Sequence, residues 1–425
     1  MEAKASLLDP PAQTIVQGAM VRSEQDQSLV QQQLAANDLM GRLPFEISAQ
    51  IFIHCLPGKQ KDRTASLEHA PLLLLNICNA WTDIAKSTPL LWCTIHIEFP
   101  RPVSFKELLE AWFIRARNYP LTVSLRGQCH PHIAVVIWNH SHRLEHLIVD
   151  NGDCLDRDSL GTLEIFPGGM ARVPEQFIAL RTLTIRGSEY SNLQFLGPQI
   201  MELLRRAPNV VECTFIRMPL AVGFHDIDWD PPLVFPSLRR LRFGEHVKPG
   251  IIENEFLKCV SLPALEALAY PFEYFSSDHF IAFLNRSAPS NLRELSGCDG
   301  LGDFVLDGGL HLIPSLTRFE VWWTQYSFAE KALVALAASS SLLPKLQTLI
   351  IHLEGQQCAF PEALWKGLLN LLAAPSRRSQ LTNVLLYGIP ESLMPAEGIR
   401  AELREAAKIC GAQVRMGSRR KNFMK

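Results

Sequence analysis

Apolar residues recur with a helical period in the segment that begins at Leu43. Pro44 suits the first turn of a helix, where its missing N–H is not needed. Ile47, Ile51 and Phe52 follow at i, i+4 and i+5, which places them along one side of that helix. The segment therefore predicts a short amphipathic helix, which ends at a Pro-Gly pair.

Two further helical pieces are predicted after the first. Residues 71–86 carry apolar side chains at helical spacing, and residues 90–92 form a short apolar turn after a Ser-Thr-Pro break. Three short pieces cannot bury so many large side chains by themselves. We therefore expect apolar surface that is left for a partner or a second domain. Residues 1–40, by contrast, are polar and predict a flexible tail with one possible helix.

From about residue 93 the pattern becomes one of period-two strands that alternate with amphipathic helices. A motif of the form Leu-x-x-Leu-x-apolar then recurs in nine loosely matching copies. The copies start 24 to 36 residues apart, at Leu144, Leu180, Val210, Leu238, Leu265, Leu292, Leu316, Leu346 and Leu381.

Each copy predicts one strand followed by one helix. The second Leu and the apolar residue two positions later point to the same side of the strand, because side chains alternate along it. One such unit cannot bury its own core, so the units are expected to stack into a curved solenoid. A doubly wound α/β sheet is the alternative, since it also alternates strands and helices. The recurrent Leu-x-x-Leu favours the solenoid.

The predicted fold class is therefore α/β, with a three-helix domain followed by a leucine-rich-repeat solenoid of strand–helix units. Four regions follow from these patterns. They are a flexible tail over residues 1–40, a helical domain over 41–92, the solenoid over 93–414 and a basic tail over 415–425.

Charge and composition exclude several classes of protein. Lys plus Arg number 41 and Asp plus Glu number 43, which argues against a dedicated nucleic-acid binder. No apolar run approaches the ~20 residues of a membrane span, and the N-terminus lacks the apolar core of a secretion signal. The ten cysteines include no CxxC pair. We expect a reduced protein with buried thiols, located in the cytoplasm and/or the nucleus and without a membrane partner.

The sequence contains no local motif for catalysis, such as a phosphate-binding Gly loop, a G-x-S-x-G elbow or an HExxH zinc motif. The densest group of possible metal ligands comprises Cys129, His130, His132, His140, His142 and His146. Because His146 falls in a predicted strand, surface or core-edge histidines are favoured over a zinc site. We expect no enzymatic activity, metal or cofactor. An α/β enzyme whose catalytic residues converge from distant positions is the alternative.

Residues 43–92 resemble an F-box of the kind abundant in mushroom-forming fungi. That pattern begins Leu-Pro-x-Glu-Ile, continues Val-Cys-x-x-Trp-x-x-Ile-Ala and ends Pro-x-Leu-Trp. The matching segments are Leu43-Pro44-Phe45-Glu46-Ile47, Ile77-Cys78-Asn79-Ala80-Trp81-Thr82-Asp83-Ile84-Ala85 and Pro89-Leu90-Leu91-Trp92. The chain departs from the family pattern at Phe45, Ser48, Asn79 and Thr82. The repeats that follow resemble the irregular leucine-rich arrays of such proteins.

This resemblance implies a function. F-box proteins are substrate receptors of cullin–RING ubiquitin ligases. The F-box binds a Skp-type adaptor, which connects it to a cullin, and the C-terminal domain presents the target protein. Carried over by position, the adaptor-facing or supporting residues are Leu43, Pro44, Ile47, Ile51, Leu75, Cys78 and Trp81. In an alternative role, Trp81, Ile84 and Trp92 lock the helical domain onto the first solenoid unit.

The target protein is expected to bind the concave face of the solenoid and the loops at its strand ends. Trp and Arg commonly dominate binding energy at such surfaces. The candidate contact residues are Arg242, Arg318, Glu320, Trp322 and Trp323. A second hypothesis is a non-catalytic leucine-rich scaffold without ligase association, in which residues 43–92 only cap the solenoid.

Overall fold

The structure is a computed structural model, and its description covers most of the chain from residue 43 onward. The described residues are 43–58, 65–150, 162–163, 175–187, 194–195, 197–216, 231–244, 256–270, 277–288, 290–297, 309–324, 326–353, 362–377, 380–390 and 394–417. The predicted tail over residues 1–40 and most of the predicted basic tail lie outside them. The chain divides into two compact units, one of residues 1–98 with 103–123 and one of residues 99–102 with 124–425.

The first unit combines short helices with two strands. Its α-helices are α1 (Phe45–His54), α2 (Asn79–Ser87) and α3 (Phe105–Arg115), and 3-10 helices cover Leu73–Asn76 and Pro89–Trp92. Its strands are β1 (Thr94–Glu98) and β2 (Leu121–Arg126), and the unit boundary falls inside β2. The unit therefore extends beyond the predicted boundary at residue 92.

The helix predicted over residues 71–86 is interrupted at Cys78, so the prediction of one continuous helix was wrong. Cys78 is extended, with φ −160° and ψ 169°, and α2 begins after it. The Thr82 hydroxyl donates to the Leu75 carbonyl at 2.8 Å. This hydrogen bond satisfies a carbonyl near the interruption that a continuous helix would pair with its own backbone.

Aromatic side chains form the core of the first unit. Trp92 is fully buried, and its indole N–H donates to the Ala85 carbonyl at the end of α2, at 2.9 Å. The Trp112 ring of α3 meets Trp92 edge-on at 4.9 Å, and the Arg115 guanidinium lies 4.6 Å above the Trp92 ring. Trp92 therefore packs in the core of the first unit, and it joins the segment that resembles an F-box to α3.

The second unit contains ten strands of a parallel sheet. They are β3 (Leu144–Asp150), β4 (Thr182–Arg186), β5 (Glu212–Ile216), β6 (Arg240–Phe243), β7 (Ala267–Tyr270), β8 (Glu294–Gly297), β9 (Arg318–Thr324), β10 (Thr348–Leu353), β11 (Asn383–Tyr387) and β12 (Gln413–Gly417). Their order in the sheet is their order in the chain. Each consecutive pair is parallel. Two pairs of two-residue strands accompany them, Thr162–Leu163 with Gln194–Phe195 and Leu233–Val234 with Val260–Ser261.

Helices connect many of these strands. They are α4 (Pro131–Trp138), α5 (Gly197–Arg206), α6 (Ser277–Ser287), α7 (Tyr326–Ala338), α8 (Glu362–Ala373) and α9 (Glu397–Cys410). Helix-like runs in the sequence predict four of these helices, at residues 199–206, 278–285, 328–337 and 362–372, and the observed helices start within two residues of them. A doubly wound sheet would reverse its strand order at a switch point. The unbroken order of β3 to β12 therefore shows a repeat-like solenoid of strand–helix units in the second unit.

All nine copies of the motif coincide with strands, and the sheet register superposes them. The second motif position forms one buried row across the sheet, made of Leu147, Leu183, Cys213, Leu241, Leu268, Leu295, Phe319, Leu349 and Val384. Each of these side chains is at most 1% exposed. Cys213 replaces leucine in this row, and its burial explains why the degenerate copy still forms a strand.

Strand β12 extends the sheet past the predicted solenoid boundary at residue 414. Val414 and Met416 are buried and continue the register of Val384 and Leu386, while Arg415 between them is exposed. Arg415 was predicted to belong to a basic tail, and this placement was wrong. The segment lacks the leucine motif, but its alternation of apolar and polar residues is that of a half-buried strand.

A buried arginine closes the end of α7. Arg377 is 1% exposed. Its guanidinium donates to the carbonyls of Leu336, Ser339, Leu342 and Leu343 at distances of 2.5 to 3.2 Å. The last carbonyls of a helix have no partner within the helix, and they lie at the negative end of its dipole. A cation with five donors is well suited to this position.

None of the helices in the described part of the chain has both the length and the apolar character that crossing a bilayer requires.

Candidate functional site

Helix α1 leaves apolar side chains uncovered on its outer side. Ser48, Ala49 and Phe52 are buried and form its inner side. Ile47 and Ile51, one turn apart on the other side, are 49% and 37% exposed. Surface helices normally place polar residues on the side that faces water. Helix α1 instead has apolar residues on two sides, one buried in the first unit and one exposed.

The first unit exposes more large apolar side chains around the same segment. Those of residues 43–92 that are at least 40% exposed, besides Ile47, are Leu43, Phe45, Leu67, Leu73, Ile77 and Leu90. Single exposed apolar residues are common, but a concentration of this kind within 50 residues is typical of an interaction surface. We call the four residues Leu43, Phe45, Ile47 and Ile51 the α1 face.

The predicted adaptor-binding residues divide into two groups. Leu43, Pro44, Ile47 and Ile51 are exposed on or beside α1. Leu75, Cys78 and Trp81 are half-buried. The Trp81 ring lies 5.0 Å from the Phe52 ring, tilted by 43°, so Trp81 supports α1 from α2. The structure therefore brings Trp81 against α1, while Leu75 lies in the 3-10 helix and Cys78 immediately before α2.

Two features of this surface were not identified from the sequence. Phe45 was regarded as a departure from the family pattern, yet its side chain is 45% exposed at the first residue of α1 and is one of the four residues of the α1 face. Ser48 was another departure, and it lies on the buried inner side of α1, away from that face. The signal for Ser48 was its helical position, because it lies four residues before the buried Phe52 and side chains three or four residues apart share a face.

The second candidate surface is the side of the sheet that bears the partly exposed strand residues, which we call the open face. On β6, Leu241 and Phe243 are buried, whereas Arg240 and Arg242, which alternate with them along the strand, are exposed. The alternation that buries one side of each strand places the predicted contact residues Arg242, Arg318 and Glu320 on the open face.

Glu320 is held by two cationic or polar partners on the open face. Arg318 Nη2 donates to Glu320 Oε2 at 2.7 Å, and His352 Nε2 donates to Oε1 at 2.9 Å. The Tyr387 ring lies 5.1 Å from the His352 ring. Burial by itself would raise the pKa of the Glu320 carboxyl, but the hydrogen bonds from His352 and Arg318 outweigh it and lower the pKa to about 2. Glu320 therefore remains ionised and positions Arg318 and His352.

Replacing Glu320 with glutamine is expected to destabilise the protein at pH 7 by about 2 kcal/mol. The carboxyl has a lower pKa in the folded than in the unfolded chain, so its stabilisation is present above the ordinary pKa of 4.5 and is lost as the pH falls toward about 2. Urea unfolding at pH 7, 5 and 3 measures this difference. Glu294→Gln, on the neighbouring strand, is the control and should change stability little. Equal stability of wild type and Glu320→Gln at pH 7 would contradict the assignment.

Of the two tryptophans predicted to contact a target, Trp322 is buried, whereas Arg242 and Arg318 are at least partly exposed. Trp322 is 6% exposed, so it offers almost no surface to a partner, and its assignment as a contact residue is corrected. A large apolar ring is stabilised by removal from water, and here this packing outweighs exposure. The side chain of Trp323 lies outside the described residues.

The predicted histidine cluster is spread over several elements. His146 is in β3, and its Nδ1 hydrogen-bonds the Thr182 hydroxyl of β4, whereas His142 is in a 3-10 helix and His130 precedes α4. Among the residues that the structure describes, no three His, Cys, Asp or Glu side chains are grouped so that they could hold a metal ion. Burial raises the pKa of the Cys129 thiol to about 12, which disfavours the thiolate that would bind a metal.

No family model matches the chain, and no curated protein matches it significantly.

Proposed function

We propose that this protein is a substrate receptor of a cullin–RING ubiquitin ligase, without catalytic activity of its own. Residues 43–92 bind a Skp-type adaptor, and the open face of the sheet binds a target protein. The resemblance of residues 43–92 to an F-box motivates the adaptor, and the α1 face carries the proposal, because it presents apolar side chains that the first unit leaves in water.

The chemistry of the α1 face fits an adaptor interface. Protein interfaces have an apolar centre with a polar rim. Ile47 and Ile51 supply the centre, and the exposed side chains of Glu46, Gln50 and His54 flank them on the same helix. Association would remove the isoleucine side chains from water, which stabilises a complex by roughly 25 cal/mol for each Å² of apolar surface.

Replacing Ile47 with aspartate is expected to weaken adaptor binding at least about 30-fold, the effect of losing a hot spot of about 2 kcal/mol. The side chain is half exposed, so the substitution should leave the fold intact. Titration of the full chain with purified Skp-type adaptor measures the dissociation constant.

Ile114→Asp provides a matched control for this titration. Ile114 is an isoleucine of α3 in the same unit and is 72% exposed, but it lies outside residues 43–92. Its substitution should change adaptor affinity less than about 2-fold. Absence of binding by the wild type, or equal binding by the Ile47 and Ile114 variants, would contradict the proposed function.

The alternative of a scaffold with a capping segment is favoured by one observation. Trp92 packs against Trp112 of α3, so residues 43–92 contribute to the core of the first unit as a cap would. A scaffold of this kind would bind no adaptor, and its Ile47→Asp variant would behave as the wild type in the same titration.

A further inference from the structure

The open face has a shallow trough between two pairs of charged strand residues. Arg240 and Arg242 of β6 stand on one side, and Arg318 and Glu320 of β9 stand on the other. β6 and β9 are separated by three strand spacings, about 14 Å. An extended peptide with its side chains fits within such a width.

The floor of the trough consists of the short side chains of Ala267, Ala269 and Ser296 together with Glu294 of β8, which is in register with Ala267. On β7, Ala267 is in register with Arg240, and Ala269 is in register with Arg242. On β8, Ser296 continues the row of Ala269 and leads to Glu320 of β9. Ala267 and Ala269 are small, so neither guanidinium group of β6 has a bulky neighbour on β7.

The charges around the trough leave Arg242 without a balancing carboxylate. Its neighbours in register are Thr214 and Ala269, both uncharged. Within the described ranges, neither Arg242 nor Arg240 forms an ion pair with a carboxylate. By contrast, Arg186 of β4 pairs with Asp150 at 3.3 Å.

Three carboxylates also face this region. Glu212 is in register with Arg240, and Glu294 is in register with Arg318. Glu320 accepts hydrogen bonds from Arg318 and His352. The strands on either side of Arg242 thus carry no carboxylate in its row. The carboxylate that ends this row, Glu320 three strands away, already accepts hydrogen bonds from Arg318 and His352.

We propose that the trough binds an extended peptide segment with glutamate or aspartate side chains, and that Arg240 and Arg242 recognise these carboxylates. The proposal rests on the proposed function, since it names the chemistry of the target that the open face would take. Arginine forms bidentate hydrogen bonds with carboxylates, which provide geometric specificity as well as attraction. Side chains of an extended peptide alternate, so two acidic residues at i and i+2 match two arginines at the same spacing on β6.

The test uses the full chain and a fluorescent twelve-residue peptide in which Glu alternates with Ser, compared with a peptide in which Gln replaces each Glu. Fluorescence anisotropy measures binding at low ionic strength and at 0.15 M salt. We expect the wild type to bind the Glu peptide at least about 10-fold more tightly than the Gln peptide, with affinity that falls as salt rises.

The Arg240→Ala/Arg242→Ala double variant should lose at least about 10-fold in affinity for the Glu peptide. Arg293→Ala is the control, because Arg293 is an exposed arginine of the same sheet region that lies before β8 begins and is not in a strand that borders the trough. It should change affinity less than about 2-fold. Equal affinity of the double variant and the wild type, equal affinity for the two peptides, or no wild-type binding at about 0.1 mM peptide would overturn the proposal.

Adaptor titrations of the same variants separate this inference from the proposed function. The double arginine variant should bind the adaptor as the wild type does, and Ile47→Asp should bind the Glu peptide as the wild type does. If the wild type bound the adaptor but not the Glu peptide, the acidic target would be refuted and the proposed function would stand.

Discussion

Replacing Arg377 with leucine is expected to lower the free energy of unfolding of the second unit by about 3 to 5 kcal/mol. The substitution removes the guanidinium donor from four carbonyls, of which, within the described residues, only that of Leu343 keeps a backbone donor, the N–H of Leu346. Each polar group that is left unpaired away from water costs about 1 to 3 kcal/mol. Those carbonyls belong to the end of α7 and the turn that follows it. We therefore expect unfolding to begin at the C-terminal end of α7, where this helix meets the next strand–helix repeat.

Hydrogen exchange measured by mass spectrometry is the most direct measurement, because it reports local as well as global opening. Amides of residues 326–343 should exchange much faster in Arg377→Leu than in the wild type. Arg377→Lys should be intermediate, since lysine retains the charge but lacks the five donors of a guanidinium.

Arg205→Leu is the control for this substitution. Arg205 is 56% exposed and its ion pair is with Glu202 on its own helix, so its loss should cost no more than about 1 kcal/mol. If Arg377→Leu unfolded at the same urea concentration as Arg205→Leu, the closure of α7 by Arg377 would contribute nothing measurable.

Replacing Trp92 with alanine should have an effect of similar size on the first unit, about 3 to 5 kcal/mol. The substitution leaves a cavity the size of an indole beside Trp112, removes a hydrogen bond to Ala85 and takes away the ring beneath Arg115. Because Trp92 connects residues 43–92 to α3, both parts should lose protection from hydrogen exchange together.

The neighbouring Leu90→Ala variant separates this core effect from a general sensitivity of the turn. Leu90 belongs to the same 3-10 helix and is 45% exposed, so its truncation should cost less than about 1 kcal/mol. Trp92→Phe should recover part of the packing but not the hydrogen bond. Equal protection of α1 and α3 in the wild type and Trp92→Ala would contradict the role of Trp92 as a link.

The two interaction surfaces depend on these cores in different ways. Ile47→Asp is expected to weaken adaptor binding while the fold persists, because Ile47 is half exposed. Ala at Trp92 is expected to weaken adaptor binding through loss of structure in the first unit. Measuring stability and adaptor affinity for both variants distinguishes a contact residue from a supporting one.

Local pattern was sufficient for most strands and most helices. The nine leucine-motif copies lie on nine strands, because burying alternate side chains against a repeated helix layer requires the same short pattern in each unit. Where the pattern faded the prediction stopped, as at β12, although the alternation of Val414, Arg415 and Met416 was present. The break at Cys78 was missed because apolar periodicity continues through it.

The sequence by itself determined which residues are apolar, at what period, and therefore the α/β repeat architecture and the excess of apolar side chains on the N-terminal helices. Only the tertiary structure decided which of those side chains stay in water. Ile47 and Trp92 are both apolar members of the same segment, yet one is half exposed and the other is fully buried. Burial depends on which elements pack together over long chain distances. That packing places Trp322 in the core, Arg242 on the open face and Arg377 at the end of α7.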